Sequence, residues 1–130
     1  MLPEQAAPSV PKVLVDLSVA PSGGAATYAD GFARGLIESV DGARDRVVVL
    51  FDRAWLNGRP EVGAALQAAG VEVVAASFPA AGTWRARLLR GRVVARVVRD
   101  SGVDVAFFPR DVAPRLRVPT AVLLNNRYAW

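Results

Sequence analysis

Five short runs dominated by Val, Leu and Phe punctuate this chain, and stretches of helical periodicity separate them. The runs lie at residues 12–18 (KVLVDLS), 46–52 (RVVVLFD), 71–75 (VEVVA), 103–108 and 119–124. Each is nearly continuous in apolar side chains, the pattern of strands covered on both faces; the strict apolar–polar alternation of a half-wet antiparallel sheet is missing. Between the first two runs, Tyr28, Phe32, Leu36 and Val40 recur every four residues, with Ala29, Ala33 and Ile37 widening the stripe, which predicts a helix over 25–40. A second helix is expected over 60–69, opened by Pro60 in a first-turn position and closed by Gly70 as a left-handed cap. A third is expected over 83–101, from Thr83 to just before Gly102, with Gly91 inside it as a candidate bend that costs about 1 kcal/mol relative to Ala. Strands alternating with helices through short connections require right-handed crossovers and a parallel sheet. The expected fold is therefore α/β: a Rossmann-like parallel sheet of about five strands in the order 3-2-1-4-5, with helices on both faces and the switch point beside the first strand.

Length and composition bound the rest. With 130 residues there is room for one domain, assigned to 12–130, and the Pro- and Ala-containing segment 1–11 reads as a flexible tail. No apolar stretch approaches the roughly 18–20 residues of a membrane span. The start MLPEQAAPSVP has neither the basic nor the apolar region of a secretory signal, so a cytoplasmic location is expected. The sequence contains no Cys and no His, so its own side chains can build neither a thiolate or His-ligated metal centre nor a Ser-His triad.

In open α/β sheets ligands sit outside the carboxyl ends of the strands, at the switch point. Here those ends are the 18–27 loop (SVAPSGGAAT), Asp52-Arg53, and residues 76–83, 109–118 and 125–130. Gly23 and Gly24 would let a ligand approach the backbone where the next helix begins and its amides carry partial positive charge, which suits a phosphate or a sugar hydroxyl. A glycine pair that only makes a turn is the competing reading, because the loop has neither G-x-G-x-x-G spacing nor the Lys-Ser/Thr ending of a P-loop. Asp52 stands where dinucleotide enzymes place a ribose-binding acid, but without the glycine fingerprint it reads first as a loop or cap residue. Asp16, inside the first run, needs hydrogen-bond partners because an unpaired buried charge is too costly; accepting amide hydrogen bonds that shape the 18–24 loop is its first reading, catalysis its second.

The formal net charge is +4, and it is uneven: Arg85, Arg87, Arg90, Arg92, Arg96 and Arg99 fall in one stretch that meets no acid until Asp100. At helical spacing Arg85, Arg92, Arg96 and Arg99 share an arc of about 60°, opposite Val93, Val94, Val97 and Val98. A solvated helix face is one reading; attachment to an anionic membrane surface, with Trp84 as interfacial anchor, is the other. Nucleic-acid binding is not expected, because no aromatic platform or recognised motif accompanies the charge.

The stretch KVLVDLSVAPSGGAATYADGFARGL resembles the opening of GT-B glycosyltransferases of the family 4 type, where a first strand leads into a Gly-Gly loop and an amphipathic helix. DVAFFPRDVAPRLRVPTAVLLNN resembles that family's fourth strand, Pro-containing loop and fifth strand, so the likeness spans Lys12–Trp130. It implies a hexosyltransferase moving a sugar from a nucleotide-sugar donor to a glycan or lipid-linked acceptor with retention, with no cofactor and no obligatory metal. It places Gly23 and Gly24 at the donor diphosphate, and Arg110, Asp111, Asn125 and Asn126 on the acceptor side of the cleft. Many members carry His-Asp where this chain has Asn125-Asn126, so a His contact to the donor sugar does not transfer. The family's donor-binding domain, with its basic clamp and two glutamates eight positions apart, has no counterpart here: the glutamates are Glu4, Glu38, Glu61 and Glu72. The expectation is the acceptor-side half of such an enzyme, inactive as these 130 residues alone. Two alternatives stand beside it: a stand-alone Rossmann-like accessory module, and an NAD- or nucleotide-dependent Rossmann enzyme.

Overall fold

The computed structural model describes residues 10–20, 22–79, 82–109 and 113–123. Its elements in chain order are β1 (Lys12–Leu17), α1 (Gly24–Ser39), β2 (Arg46–Asp52), α2 (Arg53–Asn57), α3 (Pro60–Ala68), β3 (Glu72–Ala76), α4 (Trp84–Asp100), β4 (Val105–Phe108) and β5 (Thr120–Val122). The strands form one sheet in the order β3-β2-β1-β4-β5, every pair parallel. This is the Rossmann-like arrangement expected from the sequence, and its switch point lies between β1 and β4. Val13 pairs with Val47 on one side and with Val105 on the other, so β1 is the central strand.

Side chains alternate across the sheet, and both faces are covered, which explains the near-continuous apolar runs. Val15, Leu17, Val49 and Phe51 enter the layer with α1, α2 and α3; Leu14, Val48, Leu50, Ala106 and Phe108 enter the layer with Val94, Val97 and Val98 of α4. The 113–118 segment extends the second layer through Ala113, Leu116 and Val118.

The helix boundaries follow the caps. Thr83 accepts a hydrogen bond from the Ala86 amide at 3.1 Å to start α4. Gly70 closes α3 at φ 89°. There, a Cβ on Gly70 would stand 2.9 Å from the Gly42 Cα, so two loops meet backbone to backbone. The helix α4 runs uninterrupted through Gly91, and this glycine admits Pro114, whose Cβ would lie 3.4 Å from an added methyl. Asp52 caps α2 by accepting from the Ala54 amide at 2.8 Å, the structural role weighed first for it.

One expectation in α1 is corrected. Tyr28 is 41% exposed, and the buried seam of the helix is Ala26, Ala29 and Ala33, with Phe32, Leu36 and Ile37 at its margin. A four-residue repeat precesses by about 40° per step against a helix of 3.6 residues per turn, so a stripe that begins at Tyr28 begins far from the contact line.

The amino edge of the sheet is stitched by Lys12. Its Nζ donates to the Ser101 carbonyl at 2.6 Å and pairs with Glu72 Oε2 at 2.8 Å, while its amide donates to Asp104 Oδ2 at 2.8 Å. One residue thereby joins β1, β3 and the end of α4. Nothing comparable crosses the opposite edge, among the described residues, except the cluster described next.

Candidate ligand site at the carboxyl edge of the sheet

β1 ends at Leu17 and the chain turns outward through Ser18 and Val19, both buried, toward Gly23 and Gly24. Gly23 is the N-cap of α1 at φ 94° and ψ −176°, a conformation that side chains rarely adopt, and no side chain caps the helix. The Thr27 amide and hydroxyl both reach the Gly23 carbonyl, at 3.2 and 3.4 Å. Among the described residues, an added Cβ at either glycine would meet no atom within 4 Å. Gly23 is thus required by its backbone angle, whereas at Gly24 neither the backbone angle nor internal packing requires glycine. The amides of the first turn of a helix lack intrahelical acceptors, and the helix dipole adds roughly half a unit of positive charge there.

The loop is anchored from below. Asp16, 2% exposed, accepts from the Ser18 amide through Oδ1 at 3.0 Å and from the Ser18 hydroxyl through the same oxygen. Its Oδ2 receives Arg90 Nη2 at 3.0 Å, and the same nitrogen donates to Ser18 Oγ at 2.7 Å. The Arg90 guanidinium lies 5.3 Å from the centre of the Phe78 ring. A carboxylate in the central strand is therefore neutralised by a guanidinium from α4, 74 positions away. Both carboxylate oxygens are engaged, so Asp16 positions the loop and is poorly placed to take a proton from a substrate. The Ser18 hydroxyl, held between Asp16 and Arg90, is fixed in the same way.

A second brace holds the start of α1 from the other side. Trp55 of α2 is fully buried, stacks on Phe51 with ring centroids 4.8 Å apart, and donates from Nε1 to the Ala26 carbonyl at 3.2 Å. Arg59 lies over the Trp55 ring at 4.5 Å and reaches Asp30 of α1 at 3.9 Å. Asp30 also pairs with Arg34 at 2.9 Å, which holds the Arg34 guanidinium above its ordinary pKa.

The structure therefore brings Gly23 and Gly24 to the switch point, over Asp16, Ser18 and Arg90. The role of Arg90 is not visible from its place in the arginine stretch, where it reads as one cation among six. Its phase was informative: on a helical wheel it sits about 140° from Arg85, on the valine side of the helix. Arg110, Asp111, Asn125 and Asn126 lie outside the described residues. Arg85, Arg92, Arg96 and Arg99 are all exposed on α4, away from the glycine loop's anchor, with Arg99 3.4 Å from Asp100. Among the described residues no three His, Cys, Asp or Glu side chains cluster as metal ligands, and no helix is long and apolar enough to cross a membrane.

The arrangement suits recognition of an anionic or hydroxyl-bearing ligand by a rigid glycine turn; it offers no general acid or base in the described part of the site. No known family model, curated protein or solved structure matches the chain.

Proposed function

We propose that this chain is the acceptor-side half of a retaining, hexosyltransferase-type glycosyltransferase, in which Gly23 and Gly24 approach the diphosphate of a nucleotide-sugar donor. The observation that carries the reading is Gly24: a glycine at the mouth of α1, at the switch point, whose missing side chain serves no contact among the described residues. A diphosphate fits that space, since amides and helix dipole favour negative charge. The parallel sheet in the order 3-2-1-4-5 supports the same reading, as does the likeness of residues 12–36 and 104–126 to the first domain of GT-B enzymes. Stabilising the leaving diphosphate is the main electrostatic demand of sugar transfer, and the proposal assigns it to a second, donor-binding domain. Arg110, Asp111, Asn125 and Asn126 take the acceptor side.

Titration of the isotope-labelled chain followed by amide NMR tests this at the weak affinity that half a site would have. A nucleoside diphosphate sugar should shift the amides of residues 23–26, and Gly24→Val should abolish those shifts while leaving the melting temperature within a degree or two. Shifts that survive Gly24→Val, or tight binding of NAD at the same loop, would overturn the proposal, the second result in favour of a dinucleotide enzyme. Sugar transfer well above background by these 130 residues alone would overturn the assignment of leaving-group stabilisation to another domain.

A further inference from the structure

The outward side of α4 combines two properties that a merely solvated helix face lacks. It is acid-free from Trp84 to Arg99, and it exposes large apolar side chains among its arginines. Trp84 is 70% exposed, Leu88 49% and Leu89 46%. With Arg85, Arg92, Arg96 and Arg99 they occupy an arc of about 140° on the helical wheel and span about 22 Å along the axis. The opposite side is committed to the core through Ala86, Val94, Val97 and Val98. Water alone gives no reason to place Trp and two Leu outside, and isolated exposed residues of this size are ordinary only when scattered. Here they cluster in the first two turns, and Arg85 lies 5.4 Å from the Trp84 ring, so that cation and aromatic form one unit.

We propose that this face of α4 docks on the anionic surface of a lipid bilayer, Trp84, Leu88 and Leu89 entering the interface while Arg85, Arg92, Arg96 and Arg99 meet headgroup phosphates. Charge complementarity selects an anionic partner, and the leucines select lipid over nucleic acid, since a phosphate backbone offers them nothing to enter. Three apolar side chains make the contact shallow, so binding is reversible and salt-sensitive.

The geometry also fixes what docking would orient. Trp84, Leu88 and Leu89 lie in the part of α4 that leaves the carboxyl edge of the sheet, and Arg90 projects from the other side of those same turns into Asp16 and Ser18. A bilayer against this face would therefore hold the glycine loop near the lipid surface, back to back with the contact, whatever ligand the loop takes.

Co-sedimentation of the full chain with phosphatidylcholine vesicles, with and without phosphatidylglycerol, tests the proposal. Binding should require the anionic lipid, vanish near 1 M salt, and shift the emission of Trp84 to the blue, the Trp84→Phe variant identifying that signal. Each arginine changed to Gln should weaken partitioning about fivefold, which is the ~1 kcal/mol a basic side chain gains near an anionic leaflet, and Arg92→Gln with Arg96→Gln about 25-fold. The Leu88→Ser, Leu89→Ser variant should lose binding with the arginines intact. Circular dichroism checks that each variant is folded, and the exposed positions of Arg92 and Arg96 make that pair the deciding one. Equal binding to neutral vesicles, binding unchanged in the Arg92/Arg96 variant, or tighter retention by duplex DNA than by anionic vesicles at the same salt would each overturn it.

Discussion

Arg90→Met removes the cation that meets a carboxylate buried in the central strand, and the contacts set its consequence. The wild-type Asp16 takes hydrogen bonds from the Ser18 amide, the Ser18 hydroxyl and Arg90 Nη2. Deleting one partner of a buried ion pair costs about 3–5 kcal/mol when the remaining charge is sealed in. Here the Arg90 side chain is 29% exposed, so water reaches the vacated space, and Ser18 still holds one oxygen. Screening of that kind reduces the expected loss to about 2–3 kcal/mol. For a chain of this length the melting temperature should fall by roughly 6–12 °C. Asp16→Asn keeps an oxygen for the Ser18 amide and leaves Arg90 free to turn to solvent, so its cost is smaller, about 1–2 kcal/mol. Urea denaturation of both single variants and the double variant, followed by circular dichroism, closes a cycle whose coupling should be about 1–2 kcal/mol. Hydrogen exchange adds a local readout: the Ser18 and Val19 amides should open first in Arg90→Met. A loss below about 0.5 kcal/mol in Arg90→Met, or a coupling near zero, would refute the assignment of Arg90 as the partner that makes a buried Asp16 tolerable.

Two further substitutions probe the supports of the site. Gly70→Ala forces a methyl into a backbone at φ 89° and to 2.9 Å from the Gly42 Cα, where no side chain can give way; a loss of about 2–4 kcal/mol of unfolding free energy in urea titration is expected, against almost none if the two loops can part freely. Trp55→Phe removes the 3.2 Å bond to the Ala26 carbonyl and part of a fully buried ring, and should cost about 2 kcal/mol with an unchanged denaturant slope.

The sheet was legible in the sequence because its strands are covered on both faces, which leaves continuous Val- and Leu-rich runs that no helix period explains. Parallel pairing followed from chirality and connection length, and the order is the one common to Rossmann-like sheets. The ends of α3 and α4 were legible through Pro60, Gly70, Thr83 and Gly102, whose chemistry fixes local geometry without help from the fold. What escaped was long-range. Asp16 signalled a need for partners, and Arg90, on the apolar side of its helix, signalled the complementary need; only the fold brings β1 and α4 together to meet both. α2 escaped because five residues are too few for a period, and Trp55 gave no sign that its indole would reach α1. Tyr28 misled because an apolar residue at the right spacing can still lie off the contact line when the spacing is four rather than 3.6.

The central place of β1 has a consequence for how the molecule assembles. Its pairing with β2 closes across one helix, but its pairing with β4 joins residues 92 positions apart, across everything from α1 to α4. The entropy of closing a loop grows only slowly with its length, about 0.6 kcal/mol per doubling, yet it must be met before the contact returns anything. A nascent chain can thus lay β1, β2 and β3 side by side with α1 and α3 and still present one edge of its innermost strand to solvent. That edge is Val- and Leu-rich and open to pairing with another chain until Val105–Phe108 arrives. The last strand to be synthesised next to the middle of the sheet is the one that closes it, and Lys12, bound to Ser101 and Asp104, locks only then.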